Sequence, residues 1–205
     1  MLNQGDPCAL GIVLAAGAGK RYGYPKALAE GGAWLRRAVA ALREGGCDSV
    51  IVLLGATGPS VQSVALPAGA RPVWVADWAT GLSASLRAGL GAAAETGAEY
   101  AVIMPVDTPD VGAAAVARVL AAARNTPGGL ARAVFHAGPG HPVVLARAHW
   151  ISISAVAVGD SGAQTYLNAR ADLVRVPCDD LATGIDHDFR VPHGANAIDS
   201  PTGDP

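Results

Sequence analysis

Short apolar runs alternate along the chain with longer stretches in which apolar residues recur every three or four positions, and glycine or proline marks most of the joins. Residues 10–14 (LGIVL) form a continuous run ending in AAGAG, the pattern of a buried strand feeding a tight turn. In AWLRRAVAALREGG, Leu35, Val39 and Leu42 fall at helical spacing and Gly45 and Gly46 stop the helix. Residues 50–54 (VIVLL) and 72–77 (PVWVAD) predict a second and a third strand. A helix follows over GLSASLRAGLGAAAE, where Leu82, Leu86 and Leu90 recur at i, i+4 and Ser83 or Ser85 stands where a cap would be. Residues 100–104 (YAVIM) predict a fourth strand, closed by Pro105, Val106 and Asp107, and Val116, Val119 and Leu120 mark the next helix.

Strands this apolar cannot face water on either side, so the alternation predicts an α/β fold: a Rossmann-like, mostly parallel sheet with helices on both faces. After about residue 128 the rhythm changes. LARAVFHAGPGHPVVLA reads as two extended runs joined by a Gly/Pro turn, an antiparallel excursion. A helix over Ser161–Arg170 and a strand over Leu173–Val176 return the chain to the sheet. The polar, breaker-rich residues 191–205 read as a loose tail behind a single domain over 1–190.

Composition narrows the classes of function. Although 51% of the 205 residues are apolar, the excess is mostly Ala, with 26 Gly and 5% aromatics. No apolar run approaches the roughly 18 to 20 residues of a bilayer span, so no membrane partner is expected. The first apolar stretch lacks a basic segment before it and runs into a glycine turn, which reads as a strand and not as a secretion signal. Cys8, Cys47 and Cys178 are widely spaced and odd in number, forming neither a disulfide framework nor a CxxC zinc pattern; a reducing cytoplasm is the expected location. Fifteen basic against seventeen acidic residues give a formal charge of −2, so no global field draws nucleic acid or anionic lipid. Any bound phosphate must be met locally. The chain has two lysines, Lys20 and Lys26, and both fall in one Gly-rich segment, where a compact charge differs in use from the planar fork of arginine.

In open α/β sheets ligands bind beyond the carboxyl ends of strands, which directs attention to LAAGAGKRYGYPK after the first strand. A dinucleotide fingerprint requires GxGxxG, but Gly17, Gly19 and Gly23 are one residue too wide, and the second strand ends at Leu54-Gly55 without a ribose-binding acid. A Walker A loop requires Ser or Thr where Arg21 stands. The remaining phosphate reading is a loop whose backbone amides from Ala16 to Gly19 wrap a triphosphate, with Arg21 and Lys26 supplying charge along it. Its bland alternative is a Gly-rich turn with solvated charges.

The spacing G-x-G-x-R-x-G-x-P-K after a buried strand resembles the signature of the MobA-like NTP transferases. Within that group LAAG followed by PK is more similar to the molybdenum cofactor cytidylyltransferases than to the guanylyl enzymes, which commonly carry LAGG and DK. The resemblance runs to about Asp188 and implies a fold of the nucleotide-diphospho-sugar transferase type. It implies transfer of CMP from CTP to a phosphorylated acceptor, molybdopterin, with release of pyrophosphate and with a molybdoenzyme as the eventual client. It also implies roles. Leu14, Ala15, Ala16, Gly17, Ala18 and Gly19 would bind nucleotide, Lys26 and Arg21 would act on the phosphates, and Gly81 and Ser85 in DWATGLSASLRAGL would line the base pocket. Asp107 of PVDTPDV and Asp186 and Asp188 of IDHDF would hold Mg2+, and His141 of GHPVVL would lie beside the acceptor. Val75 stands where relatives carry Asn, and Phe189-Arg190 where they carry Thr-Pro.

Each residue also has a plainer reading: Asp107 as a turn cap, Asp186 and Asp188 as an exposed acidic loop, Ser85 as a helix cap, His141 as a surface turn residue. His136, His149, His187 and His193 lack metal-ligand spacing. Three other functions stay open: a guanylyltransferase of the same fold, an oxidoreductase resembling the nicotine blue oxidoreductase family, and a non-catalytic pterin carrier.

Overall fold

Neighbouring residues of the first strand, β1 (Ala9–Leu14), pack into opposite cores, Val13 into one and Leu10 and Ile12 into the other. This is the period of two that a strand covered on both faces imposes. A computed structural model describes residues 8–58 and 65–189. In it β1 is joined by β2 (Ser49–Leu54), β3 (Ala70–Trp74), β4 (Tyr100–Pro105), β5 (Leu130–Phe135), β6 (Gly138–Ala146) and β7 (Val174–Pro177) in one sheet of order β3-β2-β1-β4-β6-β5-β7. β1, β2, β3 and β4 pair in parallel, β6 runs antiparallel to both β4 and β5, and β5 pairs in parallel with β7. The sheet is the mostly parallel one expected, and the excursion after residue 128 is the β5–β6 hairpin.

Helices α1 (Ala29–Glu44) and α3 (Ala113–Arg124) cover one face, where Leu35, Val39 and Leu42 meet Val116, Val119 and Leu120. On the other face lie α2 (Leu82–Ala94), which buries Leu86 and Leu90, and α4 (Trp150–Val156), which buries Trp150 and Ile153. Together these cores fully bury side chains such as Leu10, Ile51, Leu53 and Leu120. Burial on this scale is the main source of stability, at roughly 1.5 to 3 kcal/mol for each large aliphatic side chain.

Several details differ from the sequence pattern. The regular part of α1 begins only after Gly32, because Glu30, Gly31 and Gly32 carry positive φ and kink the chain. Neither Ser83 nor Ser85 caps α2. Its first amides are taken by the turn before α5 (Gln164–Asn168) instead: Leu82 N donates to Asp160 Oδ1 (3.2 Å) and Ser83 N to Gly159 O (2.9 Å). Alternating Ile and Ser over residues 150–156 mimic a strand, yet the segment is α4. Its helical spacing buries Trp150 and Ile153 and leaves Ile151 85% exposed. The expected tail, 191–205, lies outside the described residues.

Chain connectivity fixes where a site can form. β1 leads one way to β2 and β3, while β4 lies on its other side, so the loops after β1 and β4 diverge from a shared edge at a topological switch point. Val106 N donates to Leu14 O (3.1 Å) and Ala56 N to Ala16 O (2.8 Å), holding both loops at the carboxyl end of the sheet.

Candidate active site

Between those loops opens a cleft of about 580 Å3, bounded by residues 14–22, Lys26, parts of 78–85, residues 105–107, His141, Asp160, Asp186 and Asp188. All the site residues expected from the sequence line it: the stretch from Leu14 to Gly19, Arg21, Lys26, Gly81, Ser85, Asp107, His141, Asp186 and Asp188.

The loop after β1 is shaped by Gly19. Its φ is +60°, and a Cβ there would come within 2.0 Å of Tyr24 O, so the chain folds back on itself too tightly for any other residue. Gly23 N donates to Gly19 O (2.8 Å) and closes the turn. Among the described residues, no acceptor takes up the amides of Gly17, Ala18 or Gly19. Amides without internal acceptors in a tight turn at the end of a strand, lining a cleft, are available to an anion.

Lys26, in a short 3-10 turn (Lys26–Leu28), points its ammonium between two carboxylates: Nζ lies 2.7 Å from Asp107 Oδ2 and 2.9 Å from Asp188 Oδ1. Its side chain is 13% exposed. Burial works against the charge, but the bonds to Asp107 and Asp188 outweigh it and raise the lysine pKa. Arg21 Nη1 approaches Asp188 Oδ2 at 2.9 Å from a side chain 67% exposed, a position from which it can swing to a ligand at little cost. The Lys26 bond, with the Arg21 charge behind it, holds Asp188 below the usual carboxylate range. Asp186 moves the opposite way: burial, then the charges of Asp107 and Asp188, push its carboxyl up.

Late segment and loop are tied together. His187 N donates to Asp107 O (3.0 Å), and the His187 ring packs on Trp34 at 5.4 Å, which packs on Tyr22 at 5.2 Å. The acids therefore lie on a segment tethered to the turn after β4, with Asp186 itself exposed. Gly81, at φ +117°, lets the chain before α2 pass close to the turn at Gly159: a Cβ there would lie 2.6 Å from Gly159 O and 2.8 Å from Asp160 Oδ1. His141 is partly buried and its pKa falls to about 4, chiefly through burial, with Arg132 opposing and Asp107 favouring protonation. Arg132, 8% exposed on β5, leaves its Nε without a partner among the described residues.

No three His, Cys, Asp or Glu side chains already form a metal cage among the described residues. The donor set nevertheless fits a hard divalent cation. Asp107, Asp186 and Asp188 offer only oxygens, the ammonium of Lys26 stands between two of them as a cation would, and desolvation together with the neighbouring carboxylates raises the pKa of the third. Sequence reasoning missed Trp34, Trp78, Asp110 and Asp160. Trp78 and Asp160 line the cleft, Trp34 packs on the cleft residue Tyr22 and on His187, and Asp110 holds Thr183 and Gly184, just ahead of the late aspartates.

Sheet order and cleft position define an α/β protein of the nucleotide-diphospho-sugar transferase type, built to work beyond the ends of β1 and β4. The chain belongs to the family described as the MobA-like NTP transferase domain, whose sequence model matches residues 11–175. It is 35% identical over 193 residues to nicotine blue oxidoreductase of Paenarthrobacter nicotinovorans, covering 89% of this chain and 93% of that protein. Among solved structures it is similar to a Mycobacterium sp. strain JC1 homologue of Mycobacterium tuberculosis rv0371c: 30% identity, TM-score 0.73, 88% of this chain and 90% of that one. It is also similar to Rv0371c of M. tuberculosis H37Rv, solved in complex with manganese, at 26% identity, TM-score 0.66, and 87% and 93% coverage. No helix among the described residues is long and apolar enough to cross a membrane.

Proposed function

We propose that this nucleotidyltransferase-family protein transfers CMP from CTP to a phosphorylated acceptor, molybdopterin, and releases pyrophosphate. One observation carries the reading: Lys26, held by Asp107 and Asp188, faces the same cleft as the unpaired amides of Gly17, Ala18 and Gly19. The LAAG and PK elements favour cytidylyl transfer, and the manganese complex of the Rv0371c relative supports a divalent ion, here Mg2+.

In this reading an acceptor phosphate oxygen attacks the α-phosphorus, a new P–O bond forms, and the bond to the bridging oxygen of the β-phosphate breaks as pyrophosphate departs. The acceptor is already an anion, so no general base or covalent nucleophile is required. Repulsion between like charges is the main barrier. The loop amides bind the triphosphate, Lys26 turns from its carboxylates to the α-phosphate, and Arg21 swings from Asp188 to the leaving phosphates. Asp107 with Asp186 or Asp188 would hold the divalent ion, which when bound neutralises phosphate charge and fixes its geometry. Neutral His141 flanks the acceptor side, and Gly81 and Ser85 border the base.

The test is pyrophosphate release with Mg2+, molybdopterin and each of the four NTPs in turn. Release with CTP alone supports the reading, and release with GTP alone would move it to a guanylyltransferase. The 35% identical relative favours a second reading, oxidoreduction. Purification with bound flavin or turnover of NAD(P)H, without pyrophosphate release, would support that one instead.

A further inference from the structure

Residues 182–188, which carry Asp186 and Asp188, have no helix or strand to hold them. Their geometry comes from outside, and much of it from one side chain. Asp110 Oδ2 accepts from Thr183 N (2.7 Å), Thr183 Oγ1 (2.6 Å) and Gly184 N (3.3 Å). Thr183 Oγ1 in turn accepts from Ile185 N at 3.4 Å. Three residues beyond Asp110's grip on Thr183 comes Asp186, and His187 N is fixed to Asp107 O. Both anchors, Asp107 and Asp110, stand in the same turn after β4.

We propose that Asp110 is a positioning residue: by gathering Thr183 and Gly184 onto one carboxylate oxygen, it sets the distance at which Asp186 and Asp188 face Asp107. The reason for an acid is charge. A carboxylate accepts several N–H and O–H donors at once and binds each more strongly than a neutral acceptor does. These bonds outweigh burial and lower the Asp110 pKa, so the clamp stays charged at neutral pH. Gly184 completes the arrangement. At φ +65° its backbone passes so close to Phe135 that a Cβ would lie 2.2 Å from the ring, which leaves the segment no room to settle elsewhere on that side. Without the clamp the segment keeps only the His187 N bond to Asp107 O as a backbone tie to the turn after β4, so Asp186, on the Thr183 side of that tie, loses the second of two anchors that fix its reach toward Asp107.

The inference rests on the reading that Asp107 and the late aspartates hold a divalent ion, and its test separates the two. Mn2+ binding to the full-length chain is followed by the loss of the free-ion electron paramagnetic resonance signal, with and without CTP. The set comprises wild type, Asp107→Asn, Asp110→Ala, Asp110→Asn and Thr183→Val, with thermal melts of each. The expected result is a loss of roughly tenfold in Mn2+ affinity for Asp110→Ala, the lower end of what outer partners of metal ligands cost. Asp110→Asn recovers part of it, Thr183→Val loses part of it, and melting temperatures stay close to wild type because Asp110 is exposed. If wild type binds Mn2+, Asp107→Asn abolishes binding and Asp110→Ala binds as wild type does, the clamp is overturned while the ion site stands. If Asp110→Ala loses affinity only together with its melting transition, the role is structural and the proposal fails. If wild type binds no Mn2+ with or without CTP, the ion site itself fails and the clamp with it.

Discussion

Lys26 Nζ lies 2.7 Å from Asp107 Oδ2 although 81 positions of chain separate the two residues. An ammonium seated between carboxylates neutralises them. In the proposed function it is a placeholder that leaves when a multivalent cation and a phosphate arrive together, so the pair would couple the two sides of the cleft.

Lys26→Ala is expected to reduce turnover by about two to three orders of magnitude, the usual effect of removing one preorganised donor to transition-state charge. Mn2+ binding without nucleotide should tighten in the same variant, because the competing ammonium is gone. Steady-state pyrophosphate release and a metal titration check the two halves, and unchanged turnover contradicts the assignment of Lys26.

Asp107→Asn should abolish metal-dependent turnover and leave the fold intact. The backbone carbonyl of Asp107 still accepts from His187 N, and Lys26 keeps Asp188, so little packing is lost. Circular dichroism together with the same assay reads both outcomes. Retained activity, or unfolding, would each count against the role given to Asp107.

Gly19→Ala should destabilise the chain by about 1 to 3 kcal/mol, since it forces a side chain into a left-handed backbone facing Tyr24 O, and raise KM for nucleotide. Gly17→Ala is the control. Its Cβ meets nothing within 4 Å, so stability should change by less than about 0.5 kcal/mol. Equal unfolding midpoints in urea for both variants would contradict the account of the loop.

His141 predicts a pH dependence. An unfolded histidine titrates near 6.5, whereas burial brings His141 down to about 4 in the folded chain. Between those values the unfolded chain takes up a proton that the folded chain refuses. The contribution is nearly complete above about pH 7 and shrinks by about 2 kcal/mol by pH 5. Urea unfolding at pH 7.5 and 5 should show a steeper loss for wild type than for His141→Gln, and parallel losses would contradict the assignment.

Local pattern made the frame and the first site legible. Leu10 to Leu14 read as a buried strand, and Asp107 directly after a strand as apolar as residues 100–104 read as either a turn cap or a ligand facing a cleft. The residues that escaped notice act through contacts with no local signature. Asp160 caps α2 from 78 positions away and Asp110 reaches Thr183 across 73, while Trp34 is indistinguishable in sequence from any other buried aromatic. Likewise α4 hides behind an Ile-Ser alternation because tertiary burial of Trp150 and Ile153 overrides the strand-like pattern.

The most direct measurement is anomalous diffraction from a crystal soaked with CTP and Mn2+. A manganese peak flanked by Asp107 and a late aspartate is expected, with the triphosphate against the amides of Gly17 to Gly19 and Lys26 turned from Asp107 toward the α-phosphate. Nucleotide bound elsewhere, or the Lys26–Asp107 pair intact beside an empty cleft at saturating ligand, would contradict it.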